Sequence, residues 1–326
     1  MKNNIRTDLA LENKEQLSER GQELSGVEVT TEEDEELGII VTWVKITNQT
    51  GAESMGKPIG NYITIESATM KENDVEAHDV IIKSLATKMG ELHNLPENAV
   101  ILIIGLGNWQ VTPDALGPKV CEKILVTRHI GDDMPQDLQG RVRPVSALAP
   151  GVMGLTGIET AEIVKGVTEK IQPDIIIAID ALAARRTSRI NATIQMSDVG
   201  INPGSGLGNK RAAINQGTMG VPVIAIGVPT VVDAATLVND TMERMLGEMA
   251  EAAPDEGTFY EMLRGLQDAE RYSLIKEILD PYEGNMFVTP KDVDAVIGRL
   301  ANIIANACNI ALHPGITKED INKYLS

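Results

Sequence analysis

The sequence has few cysteines and few aromatic residues. Two cysteines, Cys121 and Cys308, occur among 326 residues, and aromatic residues make up only 3%. Two cysteines that form no C-x-x-C pair exclude a disulfide framework and fit a reducing cytosol. Because rings are scarce, a core must be filled by Ile, Val, Leu, Ala and Met, and the apolar content of 43% is enough to build one.

Positive charge is also scarce. Lys and Arg number 29 against 47 Asp and Glu, so the formal net charge is −18. A chain this acidic repels phosphate groups, which argues against nucleic acid as a direct partner. The polar N-terminus and the lack of an apolar run of about 18 residues predict neither a signal peptide nor a membrane span. The four histidines show no metal-ligand spacing, so no metal or cofactor is expected.

Short apolar runs alternate with helical patterns through the middle of the chain. Residues 99–105 form a short continuous apolar run, and residues 173–180 and 221–227 are mostly apolar, which is typical of strands buried on both faces. Helical patterns follow near residues 115–127 and 231–249. This alternation predicts an α/β fold, with a mainly parallel sheet and helices on both of its faces.

The two ends of the chain differ from this middle part. A small β region is expected at about residues 37–70, where 38–46 and 61–66 predict the two strands of a hairpin. The acidic run at 31–36 before it is interpreted as a solvated turn or flexible stretch. Helical patterns at the other end predict C-terminal helices over about 258–326.

Two aspartates follow the first two buried runs. Asp180 ends the run at 173–180, and Asp114 lies in the loop after the run at 99–105. Sites in open α/β sheets form beyond the carboxyl ends of strands, so we expect the two carboxylates to lie close together. Like charges in one site raise one pKa, which lets one carboxyl act as general acid while the other activates water. Alternatively, Asp114 is a helix N-cap and Asp180 a hydrogen-bonded strand-end residue.

Two glycine-containing loops permit other interpretations. Gly105 and Gly107 begin a dinucleotide-type pattern, but Gln110 stands where the third glycine belongs, which disfavours a nucleotide-dependent oxidoreductase. The loop at 200–211 is rich in glycine but lacks Walker A spacing. We interpret it as either a surface loop or a substrate-binding loop.

Six long motifs resemble those of the germination proteases of spore-forming Firmicutes. They are GLGNWQVTPDALGP (105–118), RPVSALAPGVMGLTGIET (143–160), DIIIAIDALAAR (174–185), NATIQMSDVGINPGSGLGNKR (191–211), PVIAIGVPTVVDA (222–234) and NMFVTPKDVD (285–294). The resemblance covers most of the chain from residue 5 to residue 313. Motifs of this length and order are far more specific than a lone G-x-G.

The resemblance implies an endopeptidase that starts the degradation of small acid-soluble spore proteins during germination, in the cytoplasm of the forespore and spore core. The family is regarded as an atypical aspartic-type peptidase, and its two essential aspartates match Asp114 and Asp180. It also implies a homotetramer and a fold similar to that of the hydrogenase-maturation peptidases. Arg185, Lys210 and Arg211 are weaker candidates for substrate binding, because their charge could stabilise an oxyanion.

The resemblance further implies a zymogen that removes a short prosequence from itself. The family cuts its substrates after an acidic residue and before a large apolar residue followed by Ala, a pattern that Asp8, Leu9 and Ala10 match. We therefore predict a prosequence of residues 1–8, cleavage between Asp8 and Leu9, and a single peptidase domain over 9–326. Two alternatives stay open: a metal-assisted peptidase like the hydrogenase-maturation enzymes, and a non-catalytic binding protein for basic partners.

Overall fold

The fold is built on one large sheet. The computed structural model describes residues 7–19, 25–35, 37–131, 138–204, 211–252, 268–283, 286–317 and 320. Among them, the strands are β1 (Val27–Asp34), β2 (Ile39–Ile46), β3 (Gly60–Glu66), β4 (Ile101–Gly105), β5 (Val145–Leu148), β6 (Ile175–Ala184), β7 (Thr193–Ser197), β8 (Val223–Asp233) and β9 (Phe287–Val288). Their spatial order is β1-β2-β3-β7-β8-β6-β4-β5, and β9 pairs with the end of β8.

The sheet is mixed, so the prediction of a mainly parallel sheet is wrong. The pairings β4–β5, β4–β6 and β6–β8 are parallel. The pairings β1–β2, β2–β3, β3–β7, β7–β8 and β8–β9 are antiparallel. The predicted buried strands do form the parallel part. The antiparallel part arises because short connections join the N-terminal strands, and because β7 runs between β3 and β8 and links the N-terminal hairpin to the parallel strands.

Helices cover both faces of the sheet. They are α1 (Ala10–Glu19), α2 (Gln49–Met55), α3 (Val75–Leu92), α4 (Leu116–Cys121), α5 (Met153–Thr156), α6 (Thr160–Ile171), α7 (Gln216–Met219), α8 (Ala234–Ala252), α9 (Asp268–Glu283) and α10 (Val293–Leu312). On one face, α3, α4 and α10 pack against a core that includes Ile101, Ile177 and Ile226. On the other, α6 and α7 pack against Leu102 and Ile176. This two-sided burial is the physical reason why β4, β6 and β8 are so apolar.

One local prediction at the N-terminal end is wrong. Most of the acidic run at 31–36 belongs to β1 rather than to a turn, because β1 is an edge strand whose side chains point almost entirely into solvent. The polar segment before it contains α1, and the connection inside the predicted hairpin contains α2. The hairpin itself is confirmed, since β2 and β3 pair antiparallel.

The helix α10 is the most apolar of the described helices. It alone among them has the length and composition of a membrane span, but 61% of its most apolar window is buried in the fold. Its buried residues, which include Val296, Leu300 and Ile304, join the main core beside α3. A core helix of an α/β sheet has this composition.

Candidate active site

Asp180 lies within β6 and is buried. The strand continues to Ala184, so Asp180 does not end it as the sequence pattern suggested. Alternation places Asp180 on the opposite face from Ile177 and Ile179, which belong to the main core. Its side chain is 5% exposed, and its Oδ1 accepts a hydrogen bond of 2.9 Å from the N–H of Ala181.

Asp114 lies in the loop after β4, in a 3₁₀ turn over Thr112–Asp114 that precedes α4. Its half-buried carboxylate accepts the N–H of Asn108 at 2.8 Å. The loop folds tightly because Gly107 has φ +116°, and a Cβ at that position would stand 1.9 Å from the carbonyl oxygen of Asp114. Only glycine fits this backbone, so Gly107 fixes the place of the Asp114 carboxylate.

The two aspartates are coupled electrostatically. Burial raises the pKa of Asp114, and the N–H of Asn108 partly opposes this shift. Burial raises the pKa of Asp180 well above its ordinary value, and the negative charges of Asp114 and Asp8 raise it further. Asp180 is therefore the carboxyl of the pair that holds a proton more strongly.

Two cavities share the aspartate pair. One is lined by Asp114 and Asp180 together with Gly107, Glu159 and Arg211. The other is lined by the same two aspartates and by a more apolar set, which comprises Asp8, Val111, Pro113, Ala181, Leu182, Ala183, Gly204, Thr230, Val231, Phe287 and Thr289. The structure thus brings Asp114 and Asp180 to one site, as the sequence predicted.

The three basic residues named from the sequence have different positions. Arg211 lines the first cavity, and its Nη1 lies 3.6 Å from a carboxylate oxygen of Glu159. Arg185 is buried just after β6, and its backbone N–H donates to Glu12 at 2.8 Å; it is not among the residues that line either cavity. Lys210 lies outside the described residues.

The N-terminal segment lies against the same site. Asp8 lines the second cavity beside Asp114 and Asp180. It pairs with Ala183 of β6, because its N–H donates to the Ala183 carbonyl at 3.2 Å and its Oδ2 accepts the Ala183 N–H at 3.0 Å. Leu9, the next residue, is fully buried. The predicted cleavage position therefore adjoins the aspartate pair.

The sequence was compared with known proteins. The profile of the germination protease family matches residues 5–258 and 250–325. A germination protease of Clostridium perfringens is 50% identical over 327 residues, which cover 99% of both chains. One from Caldanaerobacter subterraneus subsp. tengcongensis is 49% identical over 321 residues, covering 98% of each. One from Bacillus cereus is 44% identical over 358 residues, covering 99% of this chain and 97% of its own. The chain belongs to the germination protease family.

Two residues near the site of this germination protease family member carry little signal in the sequence. Lys57 follows α2, and Gln195 lies within β7; both line a further cavity together with Asp8. Gln195 lies in a strand that alternates polar and apolar residues, so its polar character alone did not distinguish it. Lys57 carried only a weak signal, the sequence Gly56-Lys57-Pro58 after a helix.

Metal-ligating side chains do not cluster in the part of the chain that the structure describes. No three His, Cys, Asp or Glu side chains in those residues are grouped so that they could hold a metal ion. The thiols of Cys121 and Cys308 have pKa values that burial raises, to about 11 and about 12. Raised pKa values disfavour the thiolate, which is the nucleophilic form of cysteine.

Proposed function

We propose that this chain is an aspartic-type endopeptidase that cuts small acid-soluble spore proteins during germination, with Asp114 and Asp180 as its catalytic pair. The observation that carries the proposal is the shared cavity surface of two carboxyl groups whose pKa values are both raised. Such a pair can be half-protonated, with one carboxyl as acid and the other as base. A binding protein for basic partners would need no such pair.

The difference between the two aspartates suggests their roles. Asp180 is more deeply buried and keeps its proton, whereas Asp114 is half-buried and its ionised form is favoured by the N–H of Asn108. Asp114 then accepts a proton from water while the water oxygen adds to the peptide carbonyl carbon. Asp180 gives its proton to the departing nitrogen as the C–N bond breaks, which yields a carboxylic acid and an amine.

Exposed apolar side chains near the pair suit a peptide substrate. Trp109 and Val111 are 48% and 47% exposed on the Asp114 loop, and Met153 is 41% exposed on the first cavity. Exposed apolar groups beside a polar centre are typical of binding surfaces. An extended polypeptide would place its apolar side chains on them.

The proposal includes self-processing between Asp8 and Leu9. The position of Asp8 in the cavity of the aspartate pair supports it, as does the burial of Leu9 and Ala10. A chain that lies in its own site in this way also blocks that site against other substrates. Loss of residues 1–8 would therefore accompany activation.

Intact mass and N-terminal sequencing of the purified full chain test both parts. We expect loss of residues 1–8, a new N-terminus at Leu9, and cleavage of a purified small acid-soluble spore protein by the processed form. Asp114→Asn and Asp180→Asn should stay full-length and should not cut the spore protein. A variant that retains turnover would remove its aspartate from the mechanism.

The family resemblance also leads us to propose a homotetramer that works in the cytoplasm of the spore core. Multi-angle light scattering of the full chain decides the assembly, since one chain has a mass of 35.1 kDa. A monomer or dimer at micromolar concentration would contradict it. Fractionation of germinating spores tests the location.

A further inference from the structure

The carbonyl oxygen of Asp8 is held by two side-chain donors. Lys57 Nζ donates to it at 2.7 Å, and Gln195 Nε2 donates to it at 3.2 Å. Under the proposed function, this oxygen belongs to the peptide bond that is cut, between Asp8 and Leu9. No other carbonyl of the described N-terminal segment has two such side-chain donors among the described residues.

Gln195 holds the backbone on both sides of Leu9. Its Nε2 donates to the carbonyl of Asp8, and its Oε1 accepts the N–H of Ala10 at 2.6 Å. Because one rigid amide makes both contacts, the peptide bond after Asp8 is fixed relative to β7. A side chain that merely filled space would not need both a donor and an acceptor here.

Lys57 is positioned by the end of α2. Gly56 ends that helix with φ 60°, and the N–H of Lys57 donates back to the carbonyl of Ala52 at 3.2 Å, which is a helix-terminating pattern that requires a left-handed residue. Burial lowers the pKa of Lys57, and the carboxylates of Asp8 and Glu12 oppose that shift. The ammonium group is thus directed at the Asp8 carbonyl by a backbone turn rather than by a mobile loop.

We propose that Lys57 and Gln195 form the carbonyl-binding part of the active site, which polarises the peptide bond to be cut and stabilises the oxyanion formed on it. This assignment rests on the proposed function and adds two catalytic residues to the aspartate pair. Of the basic residues that the sequence suggested for this role, Arg211 contacts Glu159 and Met153 instead.

The step can be written with these groups. Water adds to the Asp8 carbonyl carbon and gives one proton to a carboxylate of the aspartate pair. The carbonyl oxygen becomes an oxyanion, to which Lys57 and Gln195 donate. When the C–N bond breaks, the carbonyl re-forms and the Leu9 nitrogen takes a proton from the protonated carboxyl. Donors that face the developing charge lower the barrier to the tetrahedral intermediate.

Two substitutions test the assignment on the full chain. Lys57→Met removes the charged donor and keeps the length of the side chain. Gln195→Glu keeps the acceptor for Ala10 and replaces the Nε2 donor with an oxygen. Each should slow the formation of the Leu9 N-terminus about 100-fold, because removal of one donor to an oxyanion costs about that factor. Lys57→Arg, which retains a cation and donors, should recover part of the rate.

Kinetics on a separate substrate distinguish catalysis from folding. After prolonged incubation has produced the processed forms, a fluorogenic peptide containing Arg-Thr-Asp-Leu-Ala is used to measure kcat and KM. We expect kcat to fall by about 100-fold and KM to change by less than about threefold, with an unchanged melting temperature. Lys45→Met, at an exposed lysine on β2, is the matched control and should behave as wild type.

The outcomes separate this assignment from the proposed function. If Lys57→Met or Gln195→Glu processes itself within about threefold of the wild-type rate while Asp114→Asn does not, that residue is not a carbonyl donor and the aspartate mechanism stands. If kcat is retained and only KM rises, the residue merely binds the segment and the assignment is also overturned. If the wild-type chain never cuts itself or a spore protein, both fail together.

Discussion

Asp180 and Gln195 flank the same residue, Gly227 of β8, in the register of three adjacent strands. Asp180 pairs with Gly227 on one side and Gln195 pairs with it on the other. Residues in register point to one face of a sheet, so the acidic group and the amide share a surface. The residue between them must be a glycine, since a Cβ there would stand 2.4 Å from the Leu182 side chain, which packs over this position.

The first prediction concerns how much the buried Asp180 lowers the free energy of unfolding. Asp180→Asn should abolish turnover and raise the free energy of unfolding at pH 7.5 by on the order of 1 kcal/mol, because the unfolded aspartate ionises at this pH whereas burial beside Asp114 disfavours ionisation in the folded chain. The pKa of Asp180 is raised in the folded state, so its carboxyl favours folding at low pH and loses that contribution as pH rises through the folded pKa. Urea unfolding measures both effects.

The pH series supplies the control for this prediction. The advantage of Asp180→Asn should be greatest above neutrality and should shrink as pH is lowered through about 4, where the unfolded aspartate also gains its proton. An advantage that stayed constant with pH would mean that packing, and not charge, is its origin.

The second prediction concerns the backbone at Gly107. Gly107→Ala adds a Cβ where φ is +116° and where the Asp114 carbonyl oxygen stands 1.9 Å away. The loop must move and carry the Asp114 carboxylate with it, so we expect at least a 100-fold loss of kcat, since small misplacements of catalytic groups have that effect. Steady-state kinetics on the spore protein measure it.

Gly166 provides the matched control. It lies on the exposed side of α6, where an added Cβ meets nothing within 4 Å. Gly166→Ala should therefore keep full activity and stabilise the chain by about 0.5–1 kcal/mol. Equal activity losses in the two alanine variants would show that the strain at Gly107 does not control the site.

The parts of the fold that the sequence predicts are those in which burial of apolar side chains alone determines the residue pattern. β4, β6 and β8 are apolar on both sides because helices cover both faces, and such runs are visible in the sequence. β7 was missed because Thr193, Gln195 and Ser197 face the polar N-terminal segment and the site, which hides its strand character. The mixed topology was missed for the same reason, since β7 is the strand that introduces antiparallel pairing into the centre of the sheet.

The candidate site was predictable only in part. Asp114 and Asp180 follow recognisable apolar runs, and the family motifs contain both. Lys57 and Gln195 contact Asp8 only because the chain returns to that place from α2 and from β7. No local pattern encodes that convergence, which exists only in the folded chain. The hydrogen bond from the Ala183 N–H to the Asp8 carboxylate likewise forms only in the folded chain.

The third prediction concerns the anchor of α1. Arg189 is 8% exposed and donates to Glu15 at 2.7 Å and to Glu66 at 2.7 Å, with Glu12 at 3.5 Å. Arg189→Met leaves three carboxylates without this cation and should lower the free energy of unfolding by about 3–5 kcal/mol. Urea unfolding checks this, in an Asp114→Asn background that keeps the chain intact.

An exposed arginine serves as the comparison for Arg189. Arg128→Met should change the free energy of unfolding by less than about 0.5 kcal/mol, because surface substitutions away from buried contacts have small effects. Should the two variants unfold alike, the Arg189 cluster would not hold α1 in place.

The fourth prediction concerns the buried histidine after α10. His313 is fully buried, its Nδ1 accepts the N–H of Arg143 at 3.3 Å, and its other ring nitrogen lies 3.3 Å from the Leu125 carbonyl oxygen. The neutral ring satisfies both neighbours, whereas a second proton would face the Arg143 N–H. Burial, with the Arg143 charge adding to it, lowers the pKa of His313 to about 4.

This shift makes stability depend on pH in a defined direction. Between pH 6.5 and 4 the unfolded histidine, with a pKa near 6.5, is protonated while the folded ring is neutral. The contribution of His313 to the free energy of unfolding is therefore full above about pH 6.5 and is lost as pH falls through 4. The loss due to His313 should reach about 3 kcal/mol.

Urea unfolding between pH 7 and 4 should therefore show a shallower decline for His313→Gln than for the parent. His129→Gln, at an exposed histidine, should follow the parent curve; parallel curves for all three chains would show that the buried ring does not resist protonation.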